Sequence, residues 1–330
     1  MKRLFICLAF VATACLNAAA QTNLIATLTH NSKLSAFYGE DALNEAYQAA
    51  VDGDIITLSS GTFNSPDTIQ KAISLKGAGM TSHGQTTPTL IKGDIVIMGQ
   101  QNGKQMSVEG LHFAGLAKAS GNSLKDEVTF LKCRSVALAY NVFAKYISCM
   151  LERVDLGNNY YVTPTQAYCT NCIINGSILG AEPERSIIID HCIANCYTFT
   201  ERLTAMNSII VYNGSMANTN ANFSYCVGVS KEQDTDCFKN SPDGNNQMVY
   251  GYENLFKTWL GDGYMFDLTE LFYLTDEAAA KYLGDDDTQV GIHGGSAPFD
   301  PVPSTAQVKK FGLKTAQDDN GNIKVTINVE

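Results

Sequence analysis

Short apolar runs separated by turn residues recur along most of the chain. The run IITL at 55–58 is followed by Ser-Ser-Gly, and AISL at 72–75 is closed by Gly77-Ala78-Gly79. Runs of the same kind continue to about residue 230. β-Branched and aliphatic residues bounded by Gly, Ser and Asn are typical of strands, so the pattern predicts a succession of short strands joined by turns.

The middle of the chain repeats with a period of about 20 residues. A spacing of 20 aligns four pairs, and shorter spacings of 16 and 18 extend the cysteine column to Ser208 and Cys226. The aligned pairs are Cys169 with Ile189, Cys172 with Cys192, Ile173 with Ile193, and Asn175 with Asn195. A repeat of this length predicts a coil of parallel strands in which each turn covers the core of its neighbour, because helical solenoids need longer units.

Amphipathic segments flank the strands at both ends. Residues 41–51 present Ala42, Leu43 and Ala46 at helical spacing and predict a helix of about three turns. Near the other end, Thr275 is a predicted N-cap for a short helix, and 252–260 predicts a second helix with its apolar residues on one face. Because a solenoid must protect its last strand from pairing with another chain, we interpret 240–298 as a C-terminal cap.

The segments GDIITLSSGTF and KAISLKGAGM, preceded by the predicted helix, resemble the N-terminal cap and first turns of the pectin-lyase-like right-handed parallel β-helix superfamily. The resemblance covers roughly residues 40–80. The segment LTDEAAAKYLGDDDTQVGIHGG is similar to the closing segment of many secreted bacterial β-helix proteins of undefined function. The resemblance implies a fold and no particular activity, because this superfamily contains both enzymes and non-enzymes.

The predicted fold class is therefore all-β: a right-handed parallel β-helix with an N-terminal capping helix and short C-terminal capping helices. No Pro- or Ser-rich linker precedes about residue 299, so 21–298 is predicted to form one body. Residues 299–330 form a predicted C-terminal extension. It ends in an alternating strand that either lies on the solenoid or pairs with a partner.

The first 20 residues have the form of a secretory signal peptide, with Lys2 and Arg3 before an apolar run and small residues before Gln21. Lipid attachment at Cys15 is the alternative. No other apolar run approaches the roughly 20 residues that span a bilayer. The chain carries 23 basic and 33 acidic residues, a net charge of −10, so a nucleic-acid partner is not expected. The prediction is export to the periplasm, the outer surface or the medium.

Ten cysteines in an exported chain raise the question of disulfides and metal sites. Stacked cysteines on neighbouring parallel strands are badly aligned for bridging, so Cys172 with Cys192 and Cys149 with Cys169 are predicted to be buried thiols that act as small apolar residues. Cys226 with Cys237 is the predicted disulfide. A zinc site formed by two cysteine pairs remains as an alternative; its ligands would be Cys169, Cys172, Cys192 and Cys196.

Charged residues suggest two further sites, each with a structural alternative. Glu184-Arg185 and Glu201-Arg202, 17 residues apart, would form a cluster at one turn, where they either pair in solvent or supply acid and base. Asp285, Asp286 and Asp287 form either a carboxylate-rich turn or a calcium site. The catalytic patterns that the resemblance implies for pectate lyases, polygalacturonases and pectin methylesterases are incomplete in this sequence.

Tyr160 and Tyr161 lie in the longest predicted loop of the middle region beside two asparagines, a composition suited to stacking against sugar rings. No catalytic residue, cofactor or oligomeric state is predicted. The function expected from the sequence is a non-catalytic surface or periplasmic role in binding or structure, directed toward glycans. A polysaccharide lyase or glycoside hydrolase acting in the groove of the β-helix is the alternative.

Overall fold

The computed structural model describes residues 24–330 except 83–85, 101–103, 141, 156–164, 176–177, 180–184, 196–202, 212–220, 232–235, 240, 262–265, 268, 306–307, 314–324 and 330. The predicted signal peptide lies outside the described residues. Among those described, no helix is long and apolar enough to cross a membrane.

Strands dominate the described chain, together with two α-helices, α1 (Ala42–Ala49) and α2 (Asp276–Lys281), and a 3₁₀ turn at Tyr252–Asn254. The strands are β1 (Ile25–His30), β2 (Lys33–Tyr38), β3 (Ile55–Leu58), β4 (Gly61–Asn64), β5 (Thr68–Ile69), β6 (Ser74–Lys76), β7 (Thr89–Lys92), β8 (Ile95–Met98), β9 (Ser107–Glu109), β10 (Leu111–Ser120), β11 (Glu127–Leu131), β12 (Arg134–Tyr140), β13 (Phe143–Ile147), β14 (Met150–Asp155), β15 (Thr165–Thr170), β16 (Ile173–Asn175), β17 (Ile178–Leu179), β18 (Arg185–Asp190), β19 (Ile193–Asn195), β20 (Leu203–Met206), β21 (Ile209–Val211), β22 (Asn222–Ser224), β23 (Val227–Ser230), β24 (Gln247–Tyr250), β25 (Val308–Leu313) and β26 (Val325–Val329).

Two long sheets face each other across the interior. Sheet A has the order β2-β1-β3-β6-β9-β11-β13-β15-β18-β20-β22, and the main path of sheet B runs from β4 through β7, β10, β12, β14, β16, β19, β21 and β23 to β24. From β9 to β16 successive strands alternate between the two sheets, and the pairs within each sheet are parallel. This arrangement is a parallel β-solenoid and confirms the predicted all-β parallel β-helix.

The register of the strands confirms most of the predicted stacking. Cys169 pairs with Ile189, Ile173 with Ile193, and Asn175 with Asn195. The predicted stack of Cys149 on Cys169 is wrong, because Tyr146 is the residue that pairs with Cys169. Alternate residues of the described solenoid strands point inward and form an apolar interior, in which Phe130 stacks on Tyr146 with ring centroids 5.2 Å apart.

The N-terminal end is closed by α1, whose Ala42, Leu43 and Ala46 are buried against the first strands. The predicted helix is therefore confirmed. The lead-in that precedes it forms an antiparallel hairpin, β1–β2, which the sequence pattern did not reveal. Strand β1 also pairs antiparallel with β3, so the hairpin extends sheet A beyond the first turn of the solenoid.

The C-terminal segment covers a face as well as an end of the solenoid. The last turn is closed by Cys237, Phe238 and Met248, which belong to the interior cluster. Residues from about 252 to 299 form a second apolar cluster with the outward side chains of sheet B, among them Ile193 and Val229. Hence the outer face of sheet B is covered from β14 to β24.

Of the two helices predicted in this cover, one is absent and the other is confirmed. The predicted helix at 252–260 is reduced to the 3₁₀ turn, although Leu255 and Phe256 are buried and Trp259 stacks on Tyr252 at 4.2 Å. The second predicted helix is present as α2, and the Thr275 hydroxyl accepts the Ala278 amide as its N-cap. The terminal strand β26 pairs antiparallel with β25 in a two-stranded sheet of their own.

Candidate functional site

The outer face of sheet A carries a cleft of about 460 Å³ over strands β9, β11 and β13. Its floor is a row of side chains that the parallel register places next to one another: Ser107 beside Thr129, and Thr129 beside Lys145. The rim comes from the loops before β9 and β11. These loops supply Gln100, Lys104, Gln105, Met106 and Lys125.

Two depressions of about 480 and 440 Å³ adjoin this cleft, because all three share Lys104 in their lining. The first contains Gln70, Asn122 and Asp126, and the second contains Asp52 and Ser74. Together they form an extended polar surface that crosses several strands. Such a surface offers many donors and acceptors to a hydrated ligand that lies across the strands.

The charges in the cleft are partly paired. Lys145 lies 2.7 Å from Glu127, and Lys104 lies 2.5 Å from Asp52. The hydrogen bond from Lys104, supported by the Ala72 amide, lowers the pKa of Asp52. Both pairs remain exposed to solvent, so each costs little to open and its lysine can exchange the carboxylate for a ligand oxygen.

Sequence reasoning missed this cleft. Ser107, Thr129 and Lys145 are separated by 22 and 16 residues, which are spacings of the same repeat that aligned the cysteines. The signal lay in the polar residues at the outward positions of the repeat. The predictions from sequence considered the inward cysteines and the charged residues at turns, and they did not consider these outward positions.

The predicted sugar-stacking and acid–base residues cannot be placed. Tyr160, Tyr161, Glu184, Glu201 and Arg202 lie outside the described residues. Only the backbone of Arg185 is described, as the first residue of β18. The neighbouring register joins Ile187 to Leu203, a spacing of 16 where the predicted cluster assumed 17.

The stacked cysteines form a ladder of hydrogen bonds that crosses successive turns of the solenoid, with one cysteine from each turn. The amides of Cys133, Cys149 and Cys172 each donate to the sulfur of the next cysteine in the column, at 3.4 Å in every case. The column continues with Ser208, whose hydroxyl accepts the Cys192 amide at 3.0 Å. These thiols were predicted to act as apolar residues, but the structure gives them a polar role as acceptors for buried amides.

Burial raises the pKa of Cys226 to about 12 and that of Cys172 well above its ordinary value, which suppresses the reactive thiolate at these two positions. The predicted disulfide between Cys226 and Cys237 is not formed, since both are free buried thiols in this structure. Cys196 of the alternative zinc set lies outside the described residues. Within the described chain no three His, Cys, Asp or Glu side chains are grouped to hold a metal.

The aspartate turn at 285–287 is part of a polar contact with the solenoid. Asp285 accepts a hydrogen bond from the Asn207 side chain at 2.8 Å, and its own amide donates back to Asn207. Asp286 accepts from the amide and hydroxyl of Thr288 and lies 3.5 Å from His191. Hydrogen bonds within the protein therefore occupy two of the three predicted calcium ligands. This favours the alternative of a carboxylate-rich turn over a calcium site.

His191 is the ionisable centre of this contact, with its side chain only 4% exposed. Burial by itself would lower its pKa, but the hydrogen bond that it donates to Asp190 at 3.0 Å and the charges of Asp190 and Asp286 outweigh burial and raise it. Burial likewise works to raise the pKa of Asp190, and hydrogen bonds from His191 and Asn207 reverse the effect and lower it. The pair is thus stabilised in its charged form.

The chain has no match among known protein families, curated proteins or solved structures. The assignment of function therefore depends on the geometry of this chain alone.

Proposed function

We propose that the protein is an exported, non-catalytic member of the pectin-lyase-like superfamily that binds a polysaccharide at the cell surface or in the periplasm. The observation that carries the proposal is the polar cleft on the uncovered face of sheet A, at the meeting point of three depressions around Lys104. Amides, hydroxyls and ammonium groups line it, and these groups suit a ligand rich in hydroxyl groups. The contrast with sheet B, whose outer face is covered from β14 to β24, supports sheet A as the binding face.

A polysaccharide lyase or glycoside hydrolase is the second candidate. Glu127 lies in the main cleft with Lys104, Lys125 and Lys145, so a carboxylate and several cations are in one place. Asp126 lines an adjoining depression, but it is buried and accepts the Asn122 amide, which is typical of a structural residue. The main cleft thus has a single carboxylate among its described residues, whereas acid–base cleavage of a glycosidic bond ordinarily uses two.

A panel of polysaccharides, scored for both binding and product release, tests the two candidates together. We expect binding without new reducing ends or unsaturated products. Lys104→Met should weaken the binding about ten- to a hundredfold, because a hydrogen bond to a charged group contributes about 1.5–3 kcal/mol. Lys33→Met is the matched control, since Lys33 is exposed on the edge strand β2 and lines none of the three depressions. Product release would favour the enzyme. If the two substitutions weaken binding equally, the cleft is excluded as the binding site.

A further inference from the structure

Residues 284–305, here called the strap, run along the solenoid in the direction opposite to its growth. As the strap advances, its partners on the solenoid come from earlier and earlier turns. The pairs, in order along the strap, are Asp285 with Asn207, Thr288 with His191, Gly294 with Asn171, Asp300 with Lys132, Ser304 with Glu109, and Thr305 with Gly77.

Four of the six partners on the solenoid share a conformation: Lys132, Asn171, His191 and Asn207 have φ between 48° and 51°, and each follows a strand of sheet A. Ser148, in the same column, has φ 51°. The left-handed conformation is strained for such residues, and they form a column down one edge of the solenoid. Strands β6 and β20 are six strand spacings apart in sheet A, a distance of about 29 Å. The strap therefore connects an early turn of the solenoid with a late one.

The strap has two anchored regions. Its head is held by Asn171, whose side chain donates to the carbonyls of Ile292 and Gly294, and by Asn207, which accepts the amides of Asp285 and Gly291. Its tail is held by Lys132, which donates to Asp300 and to the Val302 carbonyl, and by Glu109, which accepts the Ser304 amide at 2.7 Å. Only the folded solenoid brings the partners of both regions into place at the same time.

We propose that the strap docks and releases as one unit, so that loosening either anchored region frees the other. The tail makes only a few hydrogen bonds at a partly exposed surface, too few to hold a short segment in place by themselves, whereas the head also buries Val290 and Ile292. When one region is docked, the covalent chain holds the other at high effective concentration over its own turns. Because such coupling is reciprocal, the head and the tail depend on each other equally.

Hydrogen exchange on the full-length protein tests this, with glycine substitutions in the left-handed column. Glycine keeps the turn conformation and removes only the side chain. In the variant Asn171→Gly/Asn207→Gly we expect the Ser304 amide, which reports on the tail, to exchange about three- to tenfold faster. Ser148→Gly is the matched control: Ser148 has the same conformation in the same column, and the described chain records no side-chain hydrogen bond from it to the strap. It should leave Ser304 unchanged.

The converse variant is Lys132→Gly at the tail. Here the amides of Asp285 and Gly291, which donate to Asn207 in the head, should exchange faster by a similar factor. If each variant accelerates exchange only beside its own substitution, the strap is a row of independent contacts and the proposal is wrong. Should the double variant fail to fold by circular dichroism, Asn171→Gly alone decides the question, because that side chain donates only to the strap.

Discussion

The cysteine ladder predicts that serine and alanine will have different effects at Cys172. This thiol is fully buried, accepts the Cys149 amide at 3.4 Å and donates to the Tyr146 carbonyl at 3.3 Å. Ser208 already occupies the equivalent position one turn beyond Cys192, with a hydroxyl that accepts the Cys192 amide and donates to the Met206 carbonyl. A serine at 172 can therefore take over both hydrogen bonds, whereas an alanine can make neither.

The magnitude follows from what alanine leaves behind. Loss of the acceptor strands a buried amide, at a cost of about 1–3 kcal/mol. The space left by the sulfur adds about 1 kcal/mol. Cys172→Ala should therefore lower the free energy of unfolding by about 2–4 kcal/mol, and Cys172→Ser by about 1 kcal/mol or less. Against a total stability of about 5–15 kcal/mol, this difference is readily measured.

Urea denaturation under reducing conditions, followed by circular dichroism, measures both variants. Cys169 provides the matched control, because it is equally buried but lies within β15, and its sulfur makes no backbone hydrogen bond among the described residues. There serine should be at least as damaging as alanine, since its buried hydroxyl would find only the weakly polar sulfur of Cys172. If serine and alanine are equally damaging at 172, the thiols act only through their volume and the ladder has no energetic role.

Three further predictions follow from the same contacts. The His191–Asp190 pair should contribute fully to the free energy of unfolding between about pH 4 and 6.5, when this free energy is measured across pH. These limits are the pKa values of the two groups in the unfolded chain. The contribution should be lost as pH rises through the raised pKa of His191 and as pH falls through the lowered pKa of Asp190; His191→Gln should flatten this profile, and an unchanged profile would contradict the assignment. Gly110→Ala should cost about 2–3 kcal/mol in urea denaturation, because φ is 67° and a Cβ would lie 2.8 Å from the Cβ of Pro303, whereas Gly39→Ala, at φ 96° with open space, should cost only about 1–2 kcal/mol. Alkylation of the unfolded protein without reductant, with peptide mapping and metal analysis, should find Cys226 and Cys237 unbridged and no stoichiometric zinc; a linked peptide or one zinc per chain would contradict the free thiols seen here.

The repeating core was predictable because stacking is periodic. Positions such as Ile173 and Ile193 repeat their chemistry at every turn, and a single sequence shows that repetition directly. Helix α2 was predictable for a local reason, since Thr275 and the acidic first turn act within a few residues. In both cases the information lies in the sequence near the feature it determines.

Features that depend on distant contacts were not predictable in the same way. Residues 252–260 have a helical pattern, yet the aromatic stacking of Trp259 on Tyr252 and Phe256 accompanies a non-helical path across sheet B. The partners of Asp285 and Asp286 are about 80 to 95 residues away, so the local sequence could predict only a carboxylate-rich turn or a calcium site. The cleft brings together loops and strands whose positions are set by the register, which becomes known only with the fold.

The most direct test of the proposed function is a structure of the protein with the tightest-binding oligosaccharide from the panel. The account predicts that the ligand lies across β9, β11 and β13, with hydroxyl groups bonded to Lys104 and Thr129 and with its glycosidic bonds intact. A ligand bound elsewhere, for example on the segment that contains Tyr160 and Tyr161, or a cleaved product in the cleft, would contradict it.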